Sequence, residues 1–151
     1  MIAANANTVF NAMAYQTENR LVAYAASNTV LLLDPYHETA MSTSENQSKS
    51  LSTPKVICSL NAHTTRVNAV GWLTKNLLVS IGGDEMCIIV WESADPRRPD
   101  TWKVKQKIEG AHKGTLTQLT THVIPQDGGS IEYYFVTIDS EGTLKMWASK
   151  A

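Results

Sequence analysis

A recurring stretch of the chain constrains its fold more than any other feature. The stretch from Leu60 to Glu92 has a histidine after a small residue, an apolar strand, a Gly-rich turn and a strand ending in Trp-Glu. The order recurs between Ala111 and Trp147, and an imperfect copy lies around residues 21–35. One such unit is a small sheet with two apolar faces, and it cannot bury both by itself. The repeat therefore predicts units that stack face to face.

Short apolar runs bounded by turn residues predict antiparallel strands along the chain. Pro35 ends one of them, because proline lacks the N–H that a ladder needs. The predicted strands cover residues 8–15, 21–25, 30–33, 56–60, 67–72, 77–81, 87–91, 102–108, 116–124, 131–138 and 143–147. The expected fold class is all-β, with about three four-stranded antiparallel units. The units cover about residues 8–60, 63–108 and 112–148, and the third lacks its outer strand.

Three connections interrupt the repeat, at residues 38–54, 93–101 and 125–130. Residues 38–54 are rich in Ser and Thr and poor in large apolar residues, which predicts a disordered surface loop. A phosphorylated regulatory loop is the alternative for that segment. Residues 93–101 form a charged connection, and the run that follows, 102–108, places lysine at alternate positions. Lysines on one side of a strand are typical of an exposed sheet edge.

The composition favours no class of polyanionic partner. The 151 residues suit one domain, with a net charge of −1 and 18% charged residues. Cys58 and Cys87 lie in apolar runs without CxxC spacing, which predicts two buried reduced thiols. The N-terminus lacks the basic start and long apolar core of a signal peptide. We therefore expect a cytoplasmic location, with the nucleus as a second one.

No motif in the chain predicts catalysis, a cofactor or a metal. The Gly-rich phosphate loops and the GxSxG nucleophile motif are absent from the sequence. None of the four histidines has a second histidine or a cysteine at ligand spacing. His63 and His112 are expected to be structural and hydrogen-bonded, with a catalytic base as the alternative. Asp84 and Glu141 lie in equivalent turns of separate units, so we expect structural acids rather than an acid–base pair.

These residues resemble the WD40 repeat family, whose pattern has a Gly-His pair, a Ser/Thr strand, an Asp turn and a final Trp-Asp. In that family a network of hydrogen bonds runs from the turn carboxylate through the histidine and a hydroxyl to the indole N–H. Such a network satisfies polar groups that stacking would otherwise bury at a cost. The resemblance implies an incomplete WD40 β-propeller, with structural networks at His63, Ser80, Asp84 and Trp91 and at His112, Thr137, Glu141 and Trp147.

The chain departs from the family pattern at several positions. Alanine replaces the glycine before each histidine, and glutamate twice replaces aspartate. Glu85 is the alternative acid to Asp84, because both lie in the same turn. The first unit has Ala23, Ser27 and Leu33 at the matching places, so we expect no network there.

A narrower resemblance is to the N-terminal part of the Elongator complex subunit 2 family. Its most specific stretch is the run Leu-x-x-His-Thr-x-Arg-Val-Asn at residues 60–68. The resemblance implies a non-catalytic scaffold without cofactor that supports assembly of the complex modifying wobble uridines of tRNA. Its implied partners are the large scaffold subunit and the catalytic subunit of Elongator, with weak tRNA contact as a further expectation.

Two alternatives to that scaffold stay open. One is a different WD40 interaction module, in signalling or chromatin. The other is an RNA-contacting surface, because residues 95–113 hold six basic and three acidic side chains beside a tryptophan. A solvated loop and edge strand explain the same charges more simply. The candidate residues for RNA or partner contact are Arg97, Arg98, Trp102 and Lys103.

Three units are too few to close a ring in one chain, so both terminal units would expose an apolar face. We expect a fragment of a longer protein, a truncated product or part of a split one. Expressed alone, it should self-associate, aggregate or unfold with poor cooperativity.

Overall fold

A computed structural model describes residues 6–9, 11–39, 51–125 and 131–150, and the fold is all-β as predicted. The strands are β1 (Met13–Gln16), β2 (Leu21–Ala26), β3 (Thr29–Asp34), β4 (Glu38–Thr39), β5 (Leu51–Ser52), β6 (Lys55–Leu60), β7 (Val67–Thr74), β8 (Leu77–Gly82), β9 (Cys87–Ser93), β10 (Trp102–Ile108), β11 (Leu116–Pro125), β12 (Ile131–Asp139) and β13 (Leu144–Lys150). A single-turn 3-10 helix spans Pro99–Thr101. Within the described ranges, no helix has the length and apolarity needed to cross a bilayer.

The strands form three larger antiparallel sheets and one short hairpin. The first sheet has the order β1-β2-β3-β6, and the second has the order β7-β8-β9-β10. The third sheet contains β11-β12-β13, so its described part has three strands. Consecutive strands are neighbours in every sheet except where the β4–β5 hairpin separates β3 from β6. This local connectivity is what short turns between antiparallel strands produce.

The first strand begins later than the sequence pattern predicts. β1 starts at Met13, whereas the apolar run begins at Thr8. Asn11 has a φ of 59°, in the left-handed region that interrupts a strand and that Asn tolerates better than most residues. The carbonyl of Ala12 then accepts a hydrogen bond from the N–H of Ala25 at 2.7 Å, which brings the chain into the sheet. The turn at Asn11 therefore sets the start of the strand.

The predicted loop at 38–54 contains ordered pairing at its two ends. β4 and β5 pair through Glu38 with Ser52 and Thr39 with Leu51. The N–H of Thr53 also donates to the carbonyl of His37 at 2.9 Å. Residues 40–50 lie outside the described ranges, so the prediction of a disordered loop stays a prediction. Residues 126–130 of the connection predicted at 125–130 also lie outside them.

Two apolar cores lie between the sheets, one on each face of the second sheet. Alternate residues of β8 and β9 enter different cores, because successive side chains of a strand point to opposite faces. Leu78 and Ile89 pack toward the first sheet, whereas Val79 and Ile88 pack toward the third, and all four are 0% exposed. A strand buried on both faces is mainly apolar, as the run at 77–81 is, and its one polar residue, Ser80, is hydrogen-bonded.

The first strands of the three sheets lie side by side. The indole N–H of Trp72 in β7 donates to the carbonyl of Ala14 in β1 at 3.1 Å. On the other side of β7, a Cβ on Gly71 would lie 2.6 Å from Cγ2 of Thr121 in β11, so glycine permits this close approach. The first strand of each sheet thus contacts the first strand of the next sheet, β1 with β7 and β7 with β11.

Both cysteines are free and buried, as predicted. Burial raises the pKa of the Cys58 and Cys87 thiols, because it disfavours the charged thiolate.

Candidate functional site

The second sheet contains a buried chain of polar side chains. His63 has a wholly buried side chain, and its Nε2 lies 2.7 Å from Oγ of Ser80. The indole N–H of Trp91 donates to the same Oγ at 2.9 Å, and Nδ1 of His63 contacts Oε1 of Glu85. A neutral imidazole fits this pattern: Nδ1–H donates to the carboxylate, and Nε2 accepts the proton of the serine. Every polar atom along the chain is then satisfied.

The acid of this network is Glu85, which the sequence offered as the alternative, and the first prediction, Asp84, was wrong. Oε2 of Glu85 also accepts the N–H of Thr64 at 3.0 Å and its hydroxyl at 2.5 Å. Gly82 makes the space, since a Cβ there would lie 1.9 Å from Oε1 of Glu85. Asp84 instead points toward the next unit, where its Oδ1 accepts the hydroxyl of Thr115 at 3.3 Å.

Burial and hydrogen bonding set the charge states of His63 and Glu85. Burial lowers the pKa of His63 below its ordinary value of 6.5, and this outweighs the opposing effect of Glu85. Burial alone would raise the pKa of Glu85, but the hydrogen bonds from Thr64 and His63 hold that pKa below its ordinary value of 4.5. The folded state therefore favours a neutral imidazole beside a carboxylate.

The third sheet repeats the arrangement. Nε2 of His112 lies 2.7 Å from Oγ1 of Thr137, which accepts the indole N–H of Trp147 at 2.9 Å. Nδ1 of His112 lies 3.0 Å from Oδ2 of Asp139. The structure thus brings together the predicted histidine, hydroxyl and indole of both units.

The acid of the third sheet is Asp139, so the prediction of Glu141 was also wrong. Asp139 ends β12, and its Oδ1 accepts the N–H groups of Glu141 at 3.0 Å and Thr143 at 2.8 Å. Burial opposes ionisation, but these bonds and the one to His112 hold the pKa of Asp139 below its ordinary value. Glu141 is exposed on the turn. An aspartate that can bond the backbone two residues onward was the missed signal.

Among the residues that the structure describes, the first sheet has no equivalent network, although the matching residue differs from the prediction. Strand register places Tyr24, rather than Ala23, at the position of Ser80, since Tyr24 pairs with Leu31 as Ser80 pairs with Ile89. Within the described part of the chain, the buried hydroxyl of Tyr24 has no hydrogen-bond partner. Burial raises the pKa of this phenol, because the phenolate would be poorly solvated.

The basic residues predicted to contact RNA are engaged within the chain. Arg97 pairs with Asp34 at 2.5 Å and donates to the carbonyl of Asn19 at 3.1 Å. Arg98 pairs with Asp100 at 3.0 Å, and Lys103 pairs with Glu92 at 3.3 Å.

Trp102 is turned toward the interior of the chain. Its indole N–H donates to the carbonyl of Pro96 at 3.0 Å. The centre of its ring system lies 6.0 Å from that of Trp72, and Trp102 packs against the first core. These residues therefore do not present a stacking ring beside unpaired cations.

One cluster has the atoms of a metal site. The ligand atoms of His63, Glu85 and Cys87 all lie within 4.8 Å of one another. Both ring nitrogens of His63 are engaged, and burial keeps Cys87 as a thiol, which is a weaker ligand than a thiolate. The third sheet builds the same network without a cysteine. Hydrogen bonds between strand and turn thus account for the closeness of His63 and Glu85, without a metal.

A groove of about 1040 Å³ lies away from both networks. It runs along the β7–β8 turn and the far ends of β11 and β12, and none of the network residues lines it. Its polar rim carries Glu18, Lys75, Glu92, Lys103 and Lys105. The groove offers a contact surface, whereas the networks offer none.

Comparison with known proteins gives two groups of relatives. No family model matches the chain. Elongator complex protein 2 of Drosophila melanogaster is 29% identical over 129 residues, which is 85% of this chain and 14% of the fly protein. Protein HIRA of mouse and of human is 33% identical over 57 residues, which is 38% of this chain and 6% of those proteins. The chain thus spans only a small part of the length of these relatives.

The stacked antiparallel sheets and the repeated His–hydroxyl–Trp network are similar to the blades of WD40 propellers. Among proteins of that kind, the chain resembles Elongator complex protein 2 over 85% of the chain's own length.

Proposed function

We propose that the chain is a non-catalytic scaffold subunit in an Elongator-type assembly. The observation that carries this proposal is the match to Elongator complex protein 2 across 85% of the chain. The predicted run at residues 60–68 lies at the start of the second unit, where His63 and Thr64 hold Glu85.

The environment of the titratable groups supports a non-catalytic role. His63 and His112 have wholly buried side chains, and both nitrogens of each ring have partners. A general base must reach a substrate proton, and neither histidine lines the groove.

The proposed partners are the large scaffold subunit and the catalytic subunit of Elongator, acting together on wobble uridines of tRNA. The proposed location is the cytoplasm, with the nucleus as the second site. These points rest on the resemblance, because fold alone does not specify partners.

Affinity purification tests the proposal directly. The tagged chain is expressed in cells, and co-purifying proteins are compared with those from a tag-only control. We expect both Elongator subunits to be enriched. If neither subunit is enriched although the tagged chain is soluble and abundant, the proposal is wrong.

A second candidate is a WD40 interaction module in another assembly, and the match to Protein HIRA over 57 residues favours it. The same purification separates the two candidates, since partners would then come from a complex without Elongator subunits.

Contact with tRNA would have to be made without a stacking ring at Trp102, which packs inward, and with nearby cations that are already paired. Charge reversal of Arg98 and Lys103 in the assembled complex tests it. A phosphate contact predicts weaker tRNA binding and a shallower salt dependence, and unchanged binding would eliminate the contact.

A further inference from the structure

The groove between the second and third sheets has a floor that continues the second apolar core. Leu77 of β8 packs against that core and pairs with Glu92 of β9, so both side chains lie on the face toward the third sheet. Val123 of β11 and Tyr133 of β12 pair with each other and line the opposite wall. Val123 is 38% exposed, which shows that the core opens to solvent here. The groove is built by residues of this chain alone, and it does not depend on the open faces of the first and third sheets.

Two polar groups in the groove have no partner among the residues that the structure describes. Tyr133 is 6% exposed and its ring packs in the second core, yet its hydroxyl makes no hydrogen bond there. The side-chain amide of Asn76, in the β7–β8 turn, is likewise free to donate and to accept. A nearly buried hydroxyl normally has a partner, so this one points to a ligand with hydrogen-bonding groups of its own.

The rim of the groove carries a small excess of positive charge. Its charged side chains are three lysines and two glutamates, a net of +1: Glu18, Lys75, Glu92, Lys103 and Lys105. The Glu92 carboxylate serves two ammonium groups at once, at 3.3 Å from Lys103 and 3.0 Å from Lys105. These two lysine side chains are 71% and 40% exposed, so a carboxylate from outside can reach both. The excess is too small for a nucleic acid, which needs several cations, and suits a ligand with one or two carboxylates.

A bulge in β10 directs two lysines toward the groove and one away from it. Lys103 pairs with Glu92 on the groove side, and the register shifts at Lys105. Such a bulge changes the direction of the side chains around it. Lys107 consequently pairs with Ile89 of the first core and lies outside the groove. The lysines that alternate in the sequence therefore do not share one face of the strand.

We propose that this groove binds a short acidic segment of a partner protein. An apolar side chain of the segment lies on the floor between Leu77 and Val123, and a neighbouring carboxylate contacts Lys103 and Lys105. The volume of about 1040 Å³ is at the upper end of the range of about 300–1,000 Å³ for small-molecule sites, which leaves room for several side chains. The Tyr133 hydroxyl bonds to the backbone of the segment.

The proposed contact is independent of the assembly to which the chain belongs. It rests on the groove, whereas the Elongator assignment rests on sequence similarity. A negative result in the binding test below leaves the outcome of the affinity purification unchanged, so the two proposals fail separately.

Fluorescence anisotropy with a defined probe tests the proposal. The probe is a fluorescein-labelled peptide of sequence Gly-Asp-Glu-Leu-Phe-Asp-Glu-Gly. One control peptide has lysine at every acidic position, and a second has two serines in place of Leu-Phe. We expect saturable binding of the probe to the chain and at least about tenfold weaker binding of both controls. The affinity for the probe should also fall as salt is added, because salt screens exposed charges.

Matched substitutions in the chain locate the contact. Val123→Glu places a carboxylate on the apolar floor and should weaken probe binding at least about tenfold. Val104→Glu should leave binding unchanged, because Val104 is similarly exposed at 42% but pairs with a residue of the first core, outside the groove. Lys105→Glu should weaken binding at least about tenfold, whereas Lys107→Glu should not. Tyr133→Phe should weaken binding about threefold through the lost hydrogen bond.

Three outcomes would overturn the proposal, each for chains whose strands are confirmed by circular dichroism. Absence of saturable probe binding would show that the groove does not take an acidic peptide. Equal losses in the Val104→Glu or Lys107→Glu variants would place the contact elsewhere. If a fluorescein-labelled oligouridine binds more tightly than the probe and Lys105→Glu abolishes that binding, the surface recognises RNA instead.

Discussion

The second and third sheets carry the same polar network but differ in how much of the molecule supports it. Trp91 is 4% exposed in a sheet that is covered on both faces. Trp147 is only partly buried, in a sheet whose other face is open at Leu144 and Met146. The histidine–hydroxyl and indole–hydroxyl bonds, which have the same lengths in both sheets, therefore lie in two different packing environments.

The two acids show what the network requires. Glu85 reaches back from within a turn, whereas Asp139 acts from the last residue of its strand. A longer side chain compensates for a more distant backbone position. The requirement is thus a carboxylate oxygen at Nδ1 of the histidine, and the residue that supplies it follows from the local turn.

The largest expected difference in stability is between the alanine variants of the two network tryptophans, Trp91 and Trp147. Trp91→Ala should lower the free energy of unfolding by about 3–5 kcal/mol, as for a buried aromatic side chain. Trp147→Ala should cost about half as much, since less apolar surface is lost. Urea titrations at one fixed protein concentration measure both, because association would otherwise shift the midpoints. Equal losses would contradict the view that packing separates the two sheets.

The sequence predicts the strands and the network core well, but it left two acids, Asp84 and Glu85, open in the second sheet and predicted the wrong acid in the third. Continuous apolar runs identify β8 and β9, and the repeat identifies His63, Ser80 and Trp91 as one group. The acid depends on turn geometry, which offsets along the sequence do not determine. The partners of Arg97 and Trp102 were equally out of reach, because Asp34 lies in the first sheet and Trp72 lies in β7, at the opposite edge of the second sheet from β10.

Adjacent acids allow a sharper comparison of the two turns. Glu85→Ala should cost about 1–3 kcal/mol, because Nδ1–H of His63 would be buried without an acceptor. Its neighbour Asp84→Ala should stay within about 0.5 kcal/mol, as for an exposed position. In the third sheet, Asp139→Ala should cost more than Glu141→Ala. Denaturant midpoints of the four alanine variants measure these losses of stability. A larger loss at Asp84 than at Glu85, or at Glu141 than at Asp139, would reverse the assignment of the acids.

Low pH should destabilise the fold by protonating His63 and Glu85 in the second sheet. The folded pKa of His63 lies below 6.5 and that of Glu85 below 4.5, so the native state binds fewer protons than the unfolded chain. Their contribution is fully present above about pH 6.5 and is lost as the pH falls through the folded pKa values. Urea midpoints should therefore fall between pH 7.5 and pH 5, and less so in His63→Gln. A midpoint that does not change over this range would refute the prediction.

Two neighbouring arginines give the smallest expected contrast. Arg97 lies in the connection after β9 and reaches Asp34 of the first sheet, whose side chain is only 7% exposed. Burial opposes ionisation of Asp34, but the bonds from Arg97 and the N–H of Tyr36 hold its pKa below the ordinary value. Arg97→Ala would leave this carboxylate poorly compensated and should cost about 1 kcal/mol. Arg98, whose pair with Asp100 is exposed, should change stability by less than about 0.5 kcal/mol when replaced by alanine. If both variants match the parent chain in urea, the Arg97 pair does not stabilise the contact between the first sheet and the connection.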